Sequence, residues 1–246
     1  MNNYKMIISY DGTRYYGWEH QPNTDMTIQG KLEGVLSQMV NEAVEVIGAG
    51  RTDAGVHAIA QVANFKTNST LPIEKWPLAL NANLKKSIRI KDAKEVDLRF
   101  HSRLTCKKKT YRYVINNSKY GTAIYINLET HIPYKLDVNK MQNAAKYFEG
   151  EHDFKAFKAS GTSSKSSVRT IYDAKIYQNG DKIYIELTGN GFLYNMVRII
   201  AGTLVEVGLE KIEPEKIEEI IKEGKRENAG KTLPPNGLYL VDVKYE

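Results

Sequence analysis

The hydrophobic period of this chain spells out the same order of elements twice, and few folds accommodate such a repeat. The first pass predicts strand 4–10, helix 27–41, strand 43–49, strand 58–66, helix 73–82 and strand 88–97. The second predicts strand 109–115, helix 137–148, strand 168–178, strand 181–189 and helix 192–207, then an added helix 214–223 opened by Pro214 and a final strand 238–244. In helix 27–41, Ile28, Leu32, Val35, Leu36 and Met39 fall on one stripe and Thr27 is placed to cap it. Two β-α-β-β-α-β units in tandem imply an α+β protein whose mainly antiparallel sheets carry helices on one face. The boundary is expected between Leu104 and Lys108, dividing the chain into halves 1–105 and 106–246. No Pro/Gly-rich linker marks it, so the two sheets are expected to abut or join, with their open faces on one side of a cleft.

A chain of 246 residues with 41% hydrophobic residues can bury a sizeable core without help from metals or disulfides. Cys106 is the single cysteine, which excludes an internal disulfide and a cysteine zinc site and points to a reducing cytoplasm, with Cys106 as a small buried filler. No segment approaches membrane-spanning length, and Met1-Asn2-Asn3-Tyr4-Lys5 runs straight into a strand rather than a signal sequence. Lys and Arg exceed Asp and Glu by 35 to 29, a net charge of +6 compatible with a polyanionic partner. The positive charge clusters at Lys107, Lys108, Lys109 and Arg112 and again at Lys155, Lys158, Lys165 and Arg169, whereas acidic residues crowd into 206–227. Sixteen tyrosines offer stacking faces for bases, although most are expected in strands.

Chemistry is expected at Gly50-Arg51-Thr52-Asp53-Ala54-Gly55-Val56-His57-Ala58, a glycine-flanked turn between two apolar runs that puts an arginine two residues from a carboxylate. A lone Asp-x-Gly turn is usually an Asp bonding its own backbone. Tyr111 lies in a strand whose alternation sets Tyr111, Tyr113 and Ile115 on one face and Arg112 on the other. On helix 192–207, Met196, Ile200, Thr203, Leu204 and Val207 form the core stripe, and Arg198 shares the other face with Tyr194, Ala201 and Val205. That face is too apolar for solvent, so a half-buried guanidinium there needs a carboxylate. His57 has no second ligand at metal spacing on its element and reads as structural or as an RNA contact. His152-Asp153 follows a helix end and reads as a local capping arrangement. Neither a Gly-x-x-x-x-Gly-Lys loop nor a dinucleotide fingerprint occurs in the sequence, so ATP and NAD are not expected.

Gly50 to Ala58 resembles the catalytic signature of the tRNA pseudouridine synthase A family. The likeness continues through Tyr10-Asp11-Gly12-Thr13 with Gly17-Trp18, Thr27-Ile28-Gln29-Gly30, Phe100-His101 and Lys109-Thr110-Tyr111-Arg112-Tyr113. It extends over His152-Asp153-Phe154, Gly191-Phe192-Leu193-Tyr194-Asn195-Met196-Val197-Arg198 and Pro234-Pro235-Asn236-Gly237-Leu238. The resemblance implies a pseudouridine synthase fold, two ferredoxin/RRM-like halves around a central RNA-binding cleft. It implies isomerisation of uridine to pseudouridine in the anticodon stem-loop of tRNA, at about positions 38 to 40, after the base is flipped out. It implies no cofactor, no metal, no membrane and a cytoplasmic homodimer. Asp53 is then the catalytic carboxylate, and three roles stay open to it: adding to the base, attacking C1′, or taking a ribose proton. Arg51 fills the space left by the extruded base or holds a flanking phosphate. Tyr111 stacks under the target uracil, and Arg198 pairs with Asp53.

The expected RNA-binding set is Tyr111, Lys107, Lys108, Lys109, Arg112, His57 and Lys165. Residues 12–25 and the serine-rich 159–167 are expected to be mobile segments bordering the cleft, the second poorly ordered without a ligand and equally a plain surface loop or an RNA clamp. Glu19-His20 departs from the glutamine-rich continuation usual in the family, as do Lys108 and Leu233 at their positions, which bears on RNA contacts more than on the reaction. The rival reading is a non-catalytic RNA-binding module of RRM-like fold, although the sequence has no Lys/Arg-Gly-Phe-Gly-Phe stacking motif. A metal-dependent nuclease is a weaker third.

Overall fold

A computed structural model describes residues 1–161 and 166–246. The chain separates into two compact units, residues 1–107 with 239–246, and residues 108–238. In the first unit, β1 (Asn2–Tyr10) lies between β3 (His57–Thr67) and β4 (Ile88–Val96), antiparallel to both. The other edge of β3 is shared: β2 (Val46–Gly48) runs antiparallel beside Ala63–Phe65, and β10 (Leu238–Lys244) runs parallel beside His57 and Ala58. Strand alternation sends Tyr4, Met6, Ile8 and Tyr10 to one buried face of β1, where Tyr4, Phe65 and Trp76 meet at 5.1–5.6 Å between ring centres. Helix α1 (Ile28–Val40) buries Ile28, Leu32 and Leu36, and the Thr27 side chain accepts from Gly30 N as expected of a cap. A 3-10 turn at Ile73–Lys75 leads into α2 (Trp76–Asn83).

Strand β2 is shorter than the predicted 43–49, because an α1 side chain takes the Val44 backbone donor that a longer strand would use, and a second holds the first residue of the strand. Ser37 Oγ accepts from Val44 N at 3.0 Å and Glu33 Oε1 from Val46 N at 2.9 Å. The last strand, placed with the second half by the division at 105/106, groups with the first unit. Residues 12–25, expected to be mobile, are anchored by buried Tyr15 and Trp18.

In the second unit, β5 (Lys108–Asn116), β9 (Lys182–Gly189), β8 (Val168–Asn179) and β7 (Gly150–Asp153) are antiparallel neighbours in that order, with β6 (Thr130–His131) parallel to the end of β5. Helix α3 (Val138–Ala145) is capped by Asp137 and continues as a 3-10 turn to Phe148, and α5 is Lys216–Glu223. Rather than ending a helix, His152-Asp153 lies in β7, where Asp153 Oδ1 accepts from Lys155 N at 3.1 Å and from Ser167 Oγ.

Helix α4 (Met196–Gly208) starts four residues later than the predicted 192. Asn195 takes a left-handed backbone conformation, φ 60°, which interrupts the period and leaves Tyr194 outside the helix and exposed. Apart from Arg198 and Glu206 every residue of α4 is buried, so the face shared by Arg198, Ala201 and Val205 is as enclosed as the core stripe. The reason is the chain 230–233, which lies against the helix: a Cβ on Gly202 would come 1.8 Å from Lys231 O, and Gly230 N donates to Thr203 Oγ1 at 2.9 Å.

Candidate active site

Asp53 opens a tight turn closed by Val56 N donating to its carbonyl at 3.1 Å, with Gly55 at φ 77°, a conformation that costs glycine nothing. The turn is braced by the segment before α1: Trp18 N donates to Thr52 O at 3.0 Å, Gly55 N donates to Tyr15 O at 3.3 Å, and a Cβ on Gly12 would fall 2.0 Å from Val56 O. The Thr52 side chain is fixed on the other side by the Tyr10 hydroxyl at 2.7 Å, and burial raises the Tyr10 phenol's pKa, keeping it protonated. Asp53 is half-buried at the centre of this frame. The Gly17-Trp18 and Tyr10-Asp11-Gly12 motifs therefore serve the Asp53 turn, a link that sequence spacing does not reveal.

Arg51 is exposed, its Nη1 3.2 Å from Glu19 Oε2. His57 is 1% exposed: Gly12 N donates to its Nδ1 at 2.9 Å and its ring stacks on Tyr239 at 4.8 Å. Of the two readings of His57, structural or RNA contact, the burial and the hold on the Gly12 segment favour the structural one.

In the second unit, Arg198 is half-buried, as its helix face required. Its Nε donates to Leu233 O at 2.7 Å and its Nη1 to Asn195 Oδ1 at 2.7 Å. Leu233 N in turn donates to Arg198 O at 3.3 Å, so residue 233 grips both backbone and side chain. The Pro-Pro-Asn-Gly stretch is fastened by the Tyr113 hydroxyl donating to Pro234 O at 2.7 Å and by Asn236 Nδ2 donating to Glu129 O at 2.7 Å. Burial raises the Tyr113 phenol's pKa and keeps it a donor. The sequence argument anticipated a carboxylate for Arg198 but neither the Leu233 carbonyl nor Asn195. Three-residue spacing from Arg198 was the available signal for Asn195.

Tyr111 and Tyr113 share a face of β5, as alternation predicted, and Tyr111 packs edge-on against Phe192 at 5.2 Å. Tyr111 is 7% exposed, which gives a base little open face before binding. Within β5, Lys108 and Lys109 alternate and so point to opposite faces of the strand, and Lys108 Nζ lies 4.8 Å over the Tyr172 ring. Arg112 is an imperfect phosphate ligand, because its Nε donates to Glu186 Oε1 at 2.6 Å. Lys165 lies outside the described residues. Cys106 is partly exposed rather than a buried filler.

Among the described residues no three His, Cys, Asp or Glu side chains gather as a metal site, and no helix is long and apolar enough to cross a membrane.

The α+β fold, the arginine-aspartate turn before β3 and the arginine in the first turn of α4 are the features to set beside known proteins. Residues 6–104 and 144–246 match the family model described as tRNA pseudouridine synthase, and the chain belongs to that family. It is 51% identical over 245 residues to tRNA pseudouridine synthase A of Caldicellulosiruptor saccharolyticus and 50% identical to that of Acetivibrio thermocellus, in each case over 100% of both chains. The Brevibacillus brevis relative of the same name is 44% identical over the same span. The activity of the family is isomerisation of uridine to pseudouridine in tRNA, and a non-catalytic RNA-binding module finds no support in these relatives.

Proposed function

We propose that this protein converts uridine to pseudouridine in the anticodon stem-loop of tRNA, at about positions 38 to 40, with Asp53 as the catalytic carboxylate acting on a flipped nucleotide. The reaction breaks the N1–C1′ bond, turns the uracil and forms C5–C1′; the C5 hydrogen leaves as a proton and N1 gains one, so atoms and electrons balance without a redox partner. The observation that carries the reading is the Asp53 turn, a carboxylate held by backbone hydrogen bonds on two sides beside an exposed arginine. Arg198 is assigned to keep Asp53 ionised and aimed. Its grip on Leu233 O and Asn195 Oδ1 supports this, since two bonds from different nitrogens fix the plane of the guanidinium. Tyr111 is assigned to hold the detached base and Arg51 to the RNA beside it.

Lys107, Lys108 and Lys109 are the proposed phosphate contacts, with Lys165 retained on its sequence position. Arg112 is demoted by its ion pair. The finer architecture, ferredoxin/RRM-like halves around an RNA-binding cleft, is supported in the first unit by the strand order β4-β1-β3-β2 with α1 and α2 as the crossovers. A homodimer working in the cytoplasm completes the reading. The test is release of tritium from tRNA transcripts labelled at uracil C5, with the product mapped. Release confined to the anticodon arm is expected; no release, or release elsewhere, would overturn the reaction or the site.

A further inference from the structure

Two arginines from separate parts of the first unit converge on one carboxylate. Glu19 Oε2 lies 3.2 Å from Arg51 Nη1, and Glu19 Oε1 lies 3.7 Å from Arg103 Nη2. All three side chains are about half exposed, at 56%, 46% and 46% for Arg51, Glu19 and Arg103. Exposed pairs contribute little to stability, so folding alone is a weak reason for this arrangement.

The backbones beneath the three groups are firmly held. Glu19 sits between Trp18, whose carbonyl accepts from Gln29 N at 3.0 Å, and His20, whose N donates to Gln29 Oε1 at 3.1 Å. Arg103 follows Ser102, a buried residue whose N donates to Asn64 Oδ1 at 2.8 Å and whose carbonyl accepts from the Tyr245 hydroxyl at 3.0 Å. Asn64 is itself fixed by donating to Asn3 Oδ1 at 3.0 Å. His101 Nδ1 accepts from Arg103 N at 3.2 Å, which closes the turn that presents the arginine. Arg51 stands two residues before Asp53 on the braced turn. The stretches around Phe100-His101 and Gly17-Trp18 thus both deliver a charge to one place.

We propose that Arg51 and Arg103 form a phosphodiester-binding site for the RNA backbone beside the target nucleotide, and that Glu19 occupies it in the free protein as a stand-in for the phosphate. A carboxylate and a phosphodiester each offer two anionic oxygens on one centre, which suits two guanidinium groups approaching from different sides. RNA binding exchanges one anion for the other, and the carboxylate swings into solvent on a backbone that does not move. Glu19 lowers affinity by competition and makes the site selective for an anion that can displace it. The proposal rests on tRNA being the substrate.

The test measures equilibrium binding of an unmodified tRNA transcript across a salt series, for wild type, Glu19→Gln, Arg103→Gln, Arg103→Lys and the Glu19→Gln/Arg103→Gln double variant. Glu19→Gln is expected to tighten binding about three- to tenfold at low salt, and the gain should shrink in the double variant. Arg103→Gln is expected to weaken binding and to reduce the log–log salt slope by about 0.9, the mark of one lost phosphate contact, whereas Arg103→Lys keeps the slope. Unchanged or weaker binding by Glu19→Gln, or an unchanged slope for Arg103→Gln, would overturn the proposal. Far-ultraviolet circular dichroism and melting of each variant establish that it is folded, and Arg103→Met supplies the slope comparison should Arg103→Gln not fold. Failure of the wild type to bind tRNA in a salt-dependent way would instead count against the proposed function.

Discussion

The Asp53 turn is held mainly through its backbone, whereas Arg198 is held through its side chain. Around Asp53 the braces are main-chain hydrogen bonds from Trp18 N and Val56 N and from Gly55 N to Tyr15 O, with a glycine contact at Gly12. Around Arg198 they are the Leu233 carbonyl, 35 residues on, and the Asn195 side chain, with Leu233 kept in place by packing of 230–233 on Gly202. A backbone-braced turn tolerates side-chain changes but not added bulk. A side-chain-held guanidinium is sensitive to single polar atoms. Substitutions at each place should therefore fail in different ways.

The largest effect is expected at Gly12. Gly12→Ala puts a methyl 2.0 Å from Val56 O, so the brace must shift, at a stability cost of about 1–3 kcal/mol. Activity should be lost well beyond the fraction unfolded, measured as turnover at a temperature where the variant is fully folded. Near-normal turnover would show that the turn does not need this brace.

Arg198→Met should lower kcat by about a hundredfold or more, because the apolar bulk is kept while the charged hydrogen-bond donors go. Substrate binding should change little, and single-turnover kinetics separates the two. Full activity across neutral pH would reduce Arg198 to a packing residue.

Asn195 gives a sharper view of the same region. Asn195→Gly keeps the left-handed backbone and removes only the acceptor for Arg198 Nη1, so kcat should fall about tenfold with little change in melting temperature. Asn195→Ala adds backbone strain of about 1 kcal/mol and should lower stability as well. Asn195→Asp restores an acceptor and is expected to recover part of kcat. Equal kcat in all three variants and wild type would remove Asn195 as a positioning residue. A smaller effect still is expected for Tyr113→Phe, about 1 kcal/mol in melting experiments, from the lost bonds to Pro234 O and Thr130.

The contrast also explains what could be read from the sequence. Strands with clean alternation and a helix with one apolar stripe and a Thr cap, such as β1 and α1, lie within two residues of expectation. The Asp53 turn was legible because its residues are contiguous. The late start of α4 was not, because Asn195 looks helical by period and departs only through its backbone angle. The shortening of β2 was hidden for a similar reason, since it depends on an α1 side chain bonding the Val44 backbone donor. His57 stayed open between a structural role and an RNA contact because its burial and its hold on Gly12 depend on segments distant in sequence. Leu233 and Arg103 went unremarked as functional because a carbonyl grip and a converging charge exist only in three dimensions.

The central claim is that Asp53 carries out uridine isomerisation in the anticodon arm, and the most direct measurement is pseudouridine mapping of total tRNA from cells lacking this protein. The same cells are mapped again after expressing either wild type or Asp53→Asn, the variant that removes the charge and keeps the shape. Anticodon-arm pseudouridine should vanish in the deletion, return with wild type and stay absent with Asp53→Asn despite equal protein levels. Restoration by Asp53→Asn, or an anticodon arm unchanged in the deletion, would contradict it.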